Sequence, residues 1–572
     1  IADGRIVFSR WDHNASNDAV NLYRKNPDRS ALELLYGQQS HNTGTNGQEV
    51  HFMQPRQVQD GRVMALARPF TNTEGGGEVL LIDTVQYLEI TQPTKENSGV
   101  LTGPAQEAAT VNEVSTIPGA PSIGGRYFSA YPIQDGTDRL MVSWSQCRLI
   151  EILPDDGDPA TSDTQIVPCT DERLATVVDP GAAAAGDHIV APPLYGIWIY
   201  DPRDNTQLPI VAGEEGFMFT EVVSADPRPI PPVVLDGVND YPLDVTLADN
   251  GEALLNIRSV YDFDGTATVD IASVANPDLT LATDRPARFL RIEKAVSIPD
   301  EDIRDIDNTA FGVSAQQGMK EIVGYAMIEP DGSVMVKVPA NTALMVSVLD
   351  ENGRRITQRH ENWISLGPGQ ELKCNGCHDA NSGLSHGRAD AFDSAYPGAQ
   401  TAGVPFYPGA NPEWFVGEVG ETMAEARARV TCSAPDPVTL ELCTSIEPSM
   451  DVVYRDVWTA DPVVAANNVD IDFLYGDLTT AAPTSLACQQ EWTSNCRSVI
   501  NYETIIHPLW SQPRLVTFDD DNDPLTPEVP LIDPVTGEQV NNNCLNCHTP
   551  VDPVLGVPRV PAGQLELLSL IH

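Results

Sequence analysis

The sequence predicts a mainly β protein in three parts: a β-propeller over residues 1–290, a small β unit over 291–430 and a loop-rich region over 431–572. Three observations predict this order. Strand-like runs after Gly or Asp turns recur through the first part, a cleanly alternating segment follows, and the last part is rich in Pro, Gly, Asn and Asp. A chain of 572 residues with a hydrophobic share of 41% is long enough to bury several cores.

The propeller prediction rests on a loose internal repeat. Turn signals precede strand-like runs in DGRIVFSR, DGRVMALARPF, GGRYFSAYP and NGEALLNIRSVYD, which start at residues 3, 60, 124 and 250. Second strands follow in GGGEVLLID from 75 and DGTDRLMVSW from 135, and YGIWIYDPRD from 195 is a further strand. Strand pairs at irregular spacings of about 60 residues favour propeller blades with long insertions over a sandwich.

The middle part is predicted from its alternation. EIVGYAMIEPDGSVMVKVPANTALMVSVLDENGRRI places Val334, Val336 and Val338 on one face of a strand and turns at DENG. This pattern predicts a small antiparallel β unit that leads through SLGPGQELK into the first cysteine motif. One helix is predicted beyond it, over 411–430.

Two short motifs carry the chemistry: KCNGCHD at 373–379 and NCLNCHT at 543–549. Cys-x-x-Cys-His is the attachment signature of c-type haem, in which both thiols form thioethers and the adjacent His binds the iron. The competing interpretation is a zinc site with four thiolates, from Cys374, Cys377, Cys544 and Cys547. His is only 10 of 572 residues. Its position after both cysteine pairs therefore favours two covalently bound haem c groups, with His378 and His548 as iron ligands.

The sixth iron ligand decides between an electron carrier and a site that activates small molecules. For the second haem the candidate is His507 in NYETIIHPLW, and the alternative is that His507 is a hydrogen-bonded core residue. For the first haem, His386 and His360 compete. A ligand from elsewhere, such as Met or a residue of a neighbouring subunit, and an open iron are the remaining alternatives.

The remaining six cysteines predict the compartment. They fall into three couples that are close in sequence, Cys147 with Cys169, Cys432 with Cys443, and Cys488 with Cys496. Pairing by proximity predicts disulfides and therefore an oxidising environment. Attachment of haem c also takes place outside the cytoplasm, so we expect a periplasmic or extracellular protein.

Charge limits the partners. The chain has 34 Lys and Arg against 81 Asp and Glu, a formal net charge of −47. Such a surface repels nucleic acid and anionic membranes and favours a basic redox partner, although adaptation to a salty habitat explains it equally. No apolar run approaches the length of a membrane span. Asp519, Asp521 and Asp523 alternate in a way that suits Ca²⁺, but no bidentate Glu follows, and solvated acid is the preferred interpretation.

A family resemblance spans nearly the whole chain. FSRWDHNASNDAVNLYRKNPDRS, then DGSVMVKVPANTALMVSVLDENG running into LGPGQELKCNGCHD, then NYETIIHPLW before NNCLNCHTP resembles the alpha subunit of hydrazine synthase and its relatives. The resemblance implies a six-bladed propeller, a middle domain with the first haem, and a C-terminal domain whose second haem has His507 as distal ligand. In the hydrazine-forming enzyme a Tyr four residues beyond the first motif binds the iron. Here Ser382 occupies that position and the next Tyr is Tyr396, so hydrazine formation is not implied.

Three hypotheses about function follow. The first is an exported dihaem cytochrome c that transfers electrons, with the propeller as a docking or assembly platform. The second is a haem enzyme whose open first haem acts on a small nitrogen or oxygen species. The third is a structural subunit of an extracellular cytochrome filament formed by self-association, in which His572 closes the haem of the next copy.

Overall fold

The structure of the chain is a computed structural model. It describes residues 1–234, 245–297, 320–433, 442–477 and 506–518, apart from gaps of up to five residues, and parts of 529–558. Within these residues there are 26 strands and six α-helices, most of the helices short. The mainly β fold class is confirmed.

Fourteen strands lie between residues 6 and 211, and they pair antiparallel in four sheets. The sheet orders are β1-β2-β3, β4-β5-β6-β7, β14-β13-β9-β8 and β11-β10-β12. The strands are β1 (Ile6–Asn14), β2 (Asn17–Lys25), β3 (Glu33–Tyr36), β4 (His51–Gln57), β5 (Val63–Arg68), β6 (Glu78–Ile82), β7 (Gln106–Ala108), β8 (Arg126–Pro132), β9 (Leu140–Ser145), β10 (Arg148–Ile152), β11 (Thr164–Pro168), β12 (His188–Val190), β13 (Gly196–Asp201) and β14 (Thr206–Val211).

These sheets confirm the hairpins expected in the first part. β5 pairs with β6 and β8 pairs with β9, as the turn signals predict. The two sides of β5 join neighbouring sheets: Val63 packs with Leu22, whereas Met64 packs with Tyr127 and Val142. Successive antiparallel sheets that share cores in this way are typical of stacked blades. The propeller itself stays a prediction.

Two three-stranded sheets make up the middle region. Their orders are β20-β15-β22 and β19-β18-β21, and a small hairpin, β16-β17, lies beside them. The strands are β15 (Glu252–Ile257), β16 (Asp262–Phe263), β17 (Thr266–Ala267), β18 (Phe289–Ala295), β19 (Lys320–Met327), β20 (Val334–Pro339), β21 (Leu344–Leu349) and β22 (Glu371–Cys374).

One expected propeller strand lies in this region instead. NGEALLNIRSVYD forms β15, which pairs antiparallel with β20 and parallel with β22. Every residue of β15 is buried, because the strand has a partner on each side and both its faces are covered. Its assignment to the propeller is wrong, and the middle sheets begin before the boundary predicted at residue 290.

The core of the middle region lies between its two sheets. Val334, Val336 and Val338 are fully buried there, as the alternation predicts, and they pack with Leu255 of β15 and Leu290 of β18. The consecutive strands β19, β20 and β21 do not form the predicted local unit. β20 pairs with β15, whereas β19 and β21 flank β18 in the opposite sheet. The segment is therefore a sandwich whose halves alternate along the chain.

Beyond residue 433 the described elements are short, in agreement with the predicted loop-rich region. No helix in the described part of the chain is long and apolar enough to cross a membrane. The remaining elements are α1 (Asp171–Leu174), α2 (Val245–Asp249), α3 (Ile271–Ala275), α4 (Met423–Ser433), α5 (Pro462–Asn467), α6 (His507–Ser511), β23 (Val452–Tyr454), β24 (Ile471–Phe473), β25 (Thr517–Phe518) and β26 (Val529–Pro530).

The helix predicted over 411–430 is shorter in the structure, where α4 covers Met423–Ser433. It begins at a capping box: the Thr422 amide donates to the Glu425 carboxylate (2.8 Å) and the Glu425 amide donates to the Thr422 hydroxyl (3.3 Å). Gly420 has a φ of +82°, a left-handed conformation that no helix continues through. The prediction overlooked both signals.

Two of the three predicted disulfides are present. Cys147 is bonded to Cys169, and Cys432 is bonded to Cys443 at the end of α4. The third couple, Cys488 with Cys496, lies outside the described residues. Proximity in sequence was sufficient to predict these two bonds, because each bond closes a short loop.

Replacing the buried Val336 by Ala tests the sandwich core. We expect Val336→Ala to lower the free energy of unfolding by about 2 kcal/mol, because buried methyl groups are lost and a cavity is left. Val419→Ala is the matched control, since Val419 is 72% exposed, and its effect should stay within about 0.5 kcal/mol. Thermal unfolding followed by circular dichroism measures both variants, and equal losses would contradict the assigned core.

Candidate functional site

The first Cys-x-x-Cys-His motif begins at the end of a strand in the sandwich. β22 runs parallel to β15, with Ile257 opposite Cys374. The pairing continues past the strand, because the Arg258 amide donates to the Cys374 carbonyl (2.8 Å) and the Ser259 amide donates to the Asn375 carbonyl (3.1 Å). Both thiol-bearing residues, Cys374 and Cys377, pack against the sandwich core.

A tight turn after β15 holds the rest of the motif. The Cys377 amide donates to the Asp262 carbonyl (2.8 Å), and the Asp264 amide donates to the Cys377 carbonyl (3.2 Å). The backbone of Gly376 lies so close that a Cβ there would be 2.3 Å from the Asp262 oxygen. Glycine between the two cysteines therefore permits this approach. The Asp264 carboxylate accepts from the Asp379 amide (3.0 Å) and fixes the chain just beyond the motif.

The two thiols are free and half-buried. Neither Cys374 nor Cys377 forms a disulfide. Burial raises the pKa of the Cys374 thiol to about 11 and that of the Cys377 thiol to about 12. The nearby Asp262 and Asp264 contribute to the second shift. Both thiols are thus protonated at neutral pH and remain available for thioether formation.

Three imidazoles meet beside these thiols. The His386 ring stacks on the His378 ring, with 3.7 Å between ring centroids and 14° between their planes. The His360 ring lies 6.3 Å from that of His378 at a steep angle of 70°. Both residues named as candidate sixth ligands therefore adjoin the motif histidine, and His386 is much the nearer.

Burial keeps these imidazoles uncharged. It lowers the pKa of His378, and together with the neighbouring rings it lowers the pKa of His386 to about 3 and that of His360 to about 4. All three rings are neutral near pH 7. Neutral imidazole is the form that binds a metal.

The residues present fit a c-type haem at this motif. The site offers two unbonded thiols, the histidine that follows them, and two further neutral imidazoles beside it. Trp363 and Leu384, which flank the other two histidines in sequence, are partly exposed apolar side chains. Among the described residues no group of three or more His, Cys, Asp or Glu is arranged to hold a metal ion.

A turn explains how His386 reaches His378 over so short a distance in sequence. The Ser382 amide and hydroxyl both donate to the Asp379 carbonyl, at 3.1 and 2.9 Å, and reverse the chain. Ser382 is exposed, so it does not replace the tyrosine ligand of the hydrazine-forming enzyme. Tyr396, the next tyrosine, is 4% exposed and packs in the sandwich core.

The second motif is described in part. The His548 amide donates to the Cys544 carbonyl (3.0 Å), and both residues are half-buried. His507 is half-buried at the start of α6. Cys547 and the three candidate calcium ligands lie outside the described residues, and so does His572.

The structure links the two segments that are expected to share the second haem. Leu515, shortly after α6, forms a bridge with Asn541, shortly before Cys544. The Arg514 amide also donates to the Asn541 side chain (2.7 Å). The segment with His507 therefore adjoins the segment with Cys544 and His548, and the role of His507 as distal ligand stays a prediction.

Comparison with known proteins agrees with this middle region. Residues 288–379 match the family model of the hydrazine synthase alpha subunit middle domain. The chain is a relative of the hydrazine synthase alpha subunit. The matched segment runs from β18 to the residue after His378, so it contains β18 to β22 and the first motif, whereas β15 lies before it.

The other comparisons add little detail. A chain of Kuenenia stuttgartiensis hydrazine synthase is 18% identical, with a TM-score of 0.36, and the alignment covers 68% of this chain and 44% of that chain. This chain thus spans less than half of that hydrazine synthase chain. No curated protein matches the sequence.

Sequence reasoning missed the turn that cradles the motif. Asp262 and Asp264 lie more than 100 residues before Cys377, so nothing local connects them to it. Gly376 was the available signal, because a glycine between paired cysteines often marks close backbone approach.

Substitution of Gly376 tests the close approach of the motif to the turn at Asp262. We expect Gly376→Ala to destabilise the middle region by about 1–3 kcal/mol, because the added Cβ overlaps the Asp262 carbonyl, and to lower the yield of chains carrying two haems in intact-mass spectra. Gly367→Ala is the control, since a Cβ there meets nothing nearer than 3.5 Å. Wild-type haem content and melting temperature in Gly376→Ala would refute the close approach.

Proposed function

We propose that this protein is an exported dihaem c-type cytochrome that transfers electrons. The observation that carries the proposal is the cluster of three imidazoles, in which the rings of His386 and His360 lie 3.7 and 6.3 Å from that of His378 between ring centroids, so that a second imidazole is close at hand for the sixth position. An iron with an imidazole on each side has no open position for a substrate, and its chemistry is then the gain and loss of one electron.

At the first site each residue has a defined task. Cys374 and Cys377 would hold the haem through thioethers, while His378 and His386 would bind the iron. A bound haem supplies the one-electron couple. The close approach of Gly376 to the Asp262 backbone holds the motif against the sandwich. Burial of the imidazoles keeps them neutral and limits the access of water to them.

At the second site we propose that Cys544 and Cys547 would form the thioethers and that His548 and His507 would bind the iron. The backbone bridge between Leu515 and Asn541 supports this assignment, because it brings the two segments together. Two haems in one chain suit a relay, in which electrons enter at one haem and leave at the other.

Hydrazine formation is not part of the proposal. Ser382 lies exposed in a turn, with its hydroxyl bonded to the Asp379 carbonyl. The chain keeps the alpha-type middle domain. We propose that it uses this scaffold with His378 as an ordinary iron ligand.

The surroundings support an exported carrier with a protein partner. Two disulfides suit an oxidising compartment, and the net charge of −47 suits a basic redox partner. We propose that the N-terminal sheets form the six-bladed propeller expected from the family resemblance. The family model describes a domain of a subunit, which is consistent with a protein that binds other proteins.

Removal of each neighbouring imidazole tests the electron-transfer proposal. We expect the reduced His386→Ala variant to bind carbon monoxide at one haem, because the sixth position becomes open, whereas reduced His360→Ala stays inert like the wild type. Optical spectra before and after addition of the gas measure this. Carbon monoxide binding by the wild type would favour the enzyme with an open first haem, and inertness of all three proteins would exclude His386 as the ligand.

Salt dependence tests the basic partner. We expect electron transfer to a small basic cytochrome to slow on the order of tenfold as ionic strength rises from about 0.01 to 0.15 M, because salt screens the steering charge. Stopped-flow absorbance measures the second-order rate. An acidic redox protein of similar potential serves as the control, and a rate that is the same for both proteins and insensitive to salt would contradict the charge argument.

A further inference from the structure

The segment that carries His386 is fastened to the N-terminal sheets on both sides of the histidine. On the N-terminal side of His386, the contact is made through Ser385. Gln92, in the loop between β6 and β7, pairs with the peptide groups of this residue. The Gln92 amide nitrogen donates to the Ser385 carbonyl (2.9 Å), and the Ser385 backbone amide donates to the Gln92 side-chain oxygen (2.6 Å). Gln92 and Ser385 are both buried, so one side chain satisfies both backbone groups next to His386.

On the C-terminal side of His386, the side chain of Arg388 extends into the N-terminal region. One guanidinium nitrogen donates to the carbonyls of Leu35 (3.3 Å), Thr84 (2.8 Å) and Tyr87 (3.1 Å). The guanidinium also pairs with Asp390 (2.5 Å), which compensates its charge in a site where Arg388 is only 6% exposed. A buried cation held in this way is costly to displace.

Close packing leaves this segment little freedom between the two attachments. At Gly387 a Cβ would be 2.5 Å from the Cβ of Leu34, so the chain passes directly over β3. The Lys95 amide donates to the Asp390 carbonyl (2.9 Å) and extends the contact by two more residues. His386 therefore projects from a backbone held by residues that lie about 300 positions earlier.

We infer that Gln92 and Arg388 are positioning residues of the first haem site, which hold His386 at the iron from the N-terminal sheets. This inference rests on the proposed function, because it takes His386 as the sixth ligand. The N-terminal sheets are then part of the haem site as well as a platform for partners. Loss of either attachment frees the segment, and His386 leaves the iron for part of the time.

The test uses the full-length protein with both haems. Gln92→Ala removes both hydrogen bonds to Ser385, and Gln92→Glu keeps the shape but removes the donor to the Ser385 carbonyl. Arg388→Lys keeps the positive charge but loses the several N–H donors of the guanidinium group. Arg126→Ala is the matched control, because Arg126 also donates to three backbone carbonyls of the N-terminal region, those of Gly75, Ile117 and Ala120, away from the motif.

Carbon monoxide uptake by the reduced protein is the readout, and the control variant shows how much of it comes from general loosening. We expect an about tenfold larger reactive fraction of one haem in Gln92→Ala, the change that loss of two hydrogen bonds produces, and a rise in the same direction in Gln92→Glu and Arg388→Lys. We expect Arg126→Ala to react like the wild type. Circular dichroism checks that each variant is folded.

The outcomes separate the inference from the proposed function. If the wild type is inert and every folded variant at Gln92 and Arg388 is inert too, the attachments serve domain packing alone and the inference is overturned while electron transfer stands. Equal reactivity in Arg126→Ala would also overturn it, because the effect would then be general loosening. If the wild type itself takes carbon monoxide, the proposed function fails, and the positioning role fails with it.

Discussion

The pairing of β15 with two strands at once is the constraint on which the middle of this protein depends. On one side β15 binds β20, which brings Val336 into the core, and on the other it binds β22, which ends at Cys374. The cysteine motif is therefore a continuation of the sandwich and not a loop attached to it. The turn after β15 then receives Gly376 and fixes the direction in which His378 leaves the strand. A core made of aliphatic side chains thus decides where the candidate metal ligand lies.

Local patterns were sufficient for much of this architecture. Turn residues before strand-like runs identified β5, β6, β8 and β9, alternation identified the buried face of β20, and proximity identified the Cys147–Cys169 disulfide. The motifs named Cys374, Cys377 and His378, of which the two cysteines pack against the sandwich core, whereas the preference for haem over zinc stays a prediction. Such features depend on residues a few positions apart, which is the range over which sequence patterns carry information.

Non-local pairing explains what the sequence did not reveal. β15 reads like any other strand, and its partner β22 lies more than 100 residues away. Likewise nothing in the sequence around Gln92 connects it with Ser385, 293 positions further on. From the sequence, His386 was one of several candidates for the sixth ligand. The turn at Ser382 that brings it to His378 depends on hydrogen bonds that no sequence motif predicts. The candidate site is therefore half local, in its thiols and adjacent histidine, and half tertiary, in the second imidazole and its support.

The most direct test of the account is the low-temperature electron paramagnetic resonance spectrum of the oxidised wild-type protein with both haems attached. The imidazoles of His386 and His360 beside that of His378 predict that the first iron is low-spin with two nitrogen ligands. Signals from low-spin irons alone would agree with a closed carrier. A high-spin signal amounting to one iron per chain would contradict it, because that iron would have an open face.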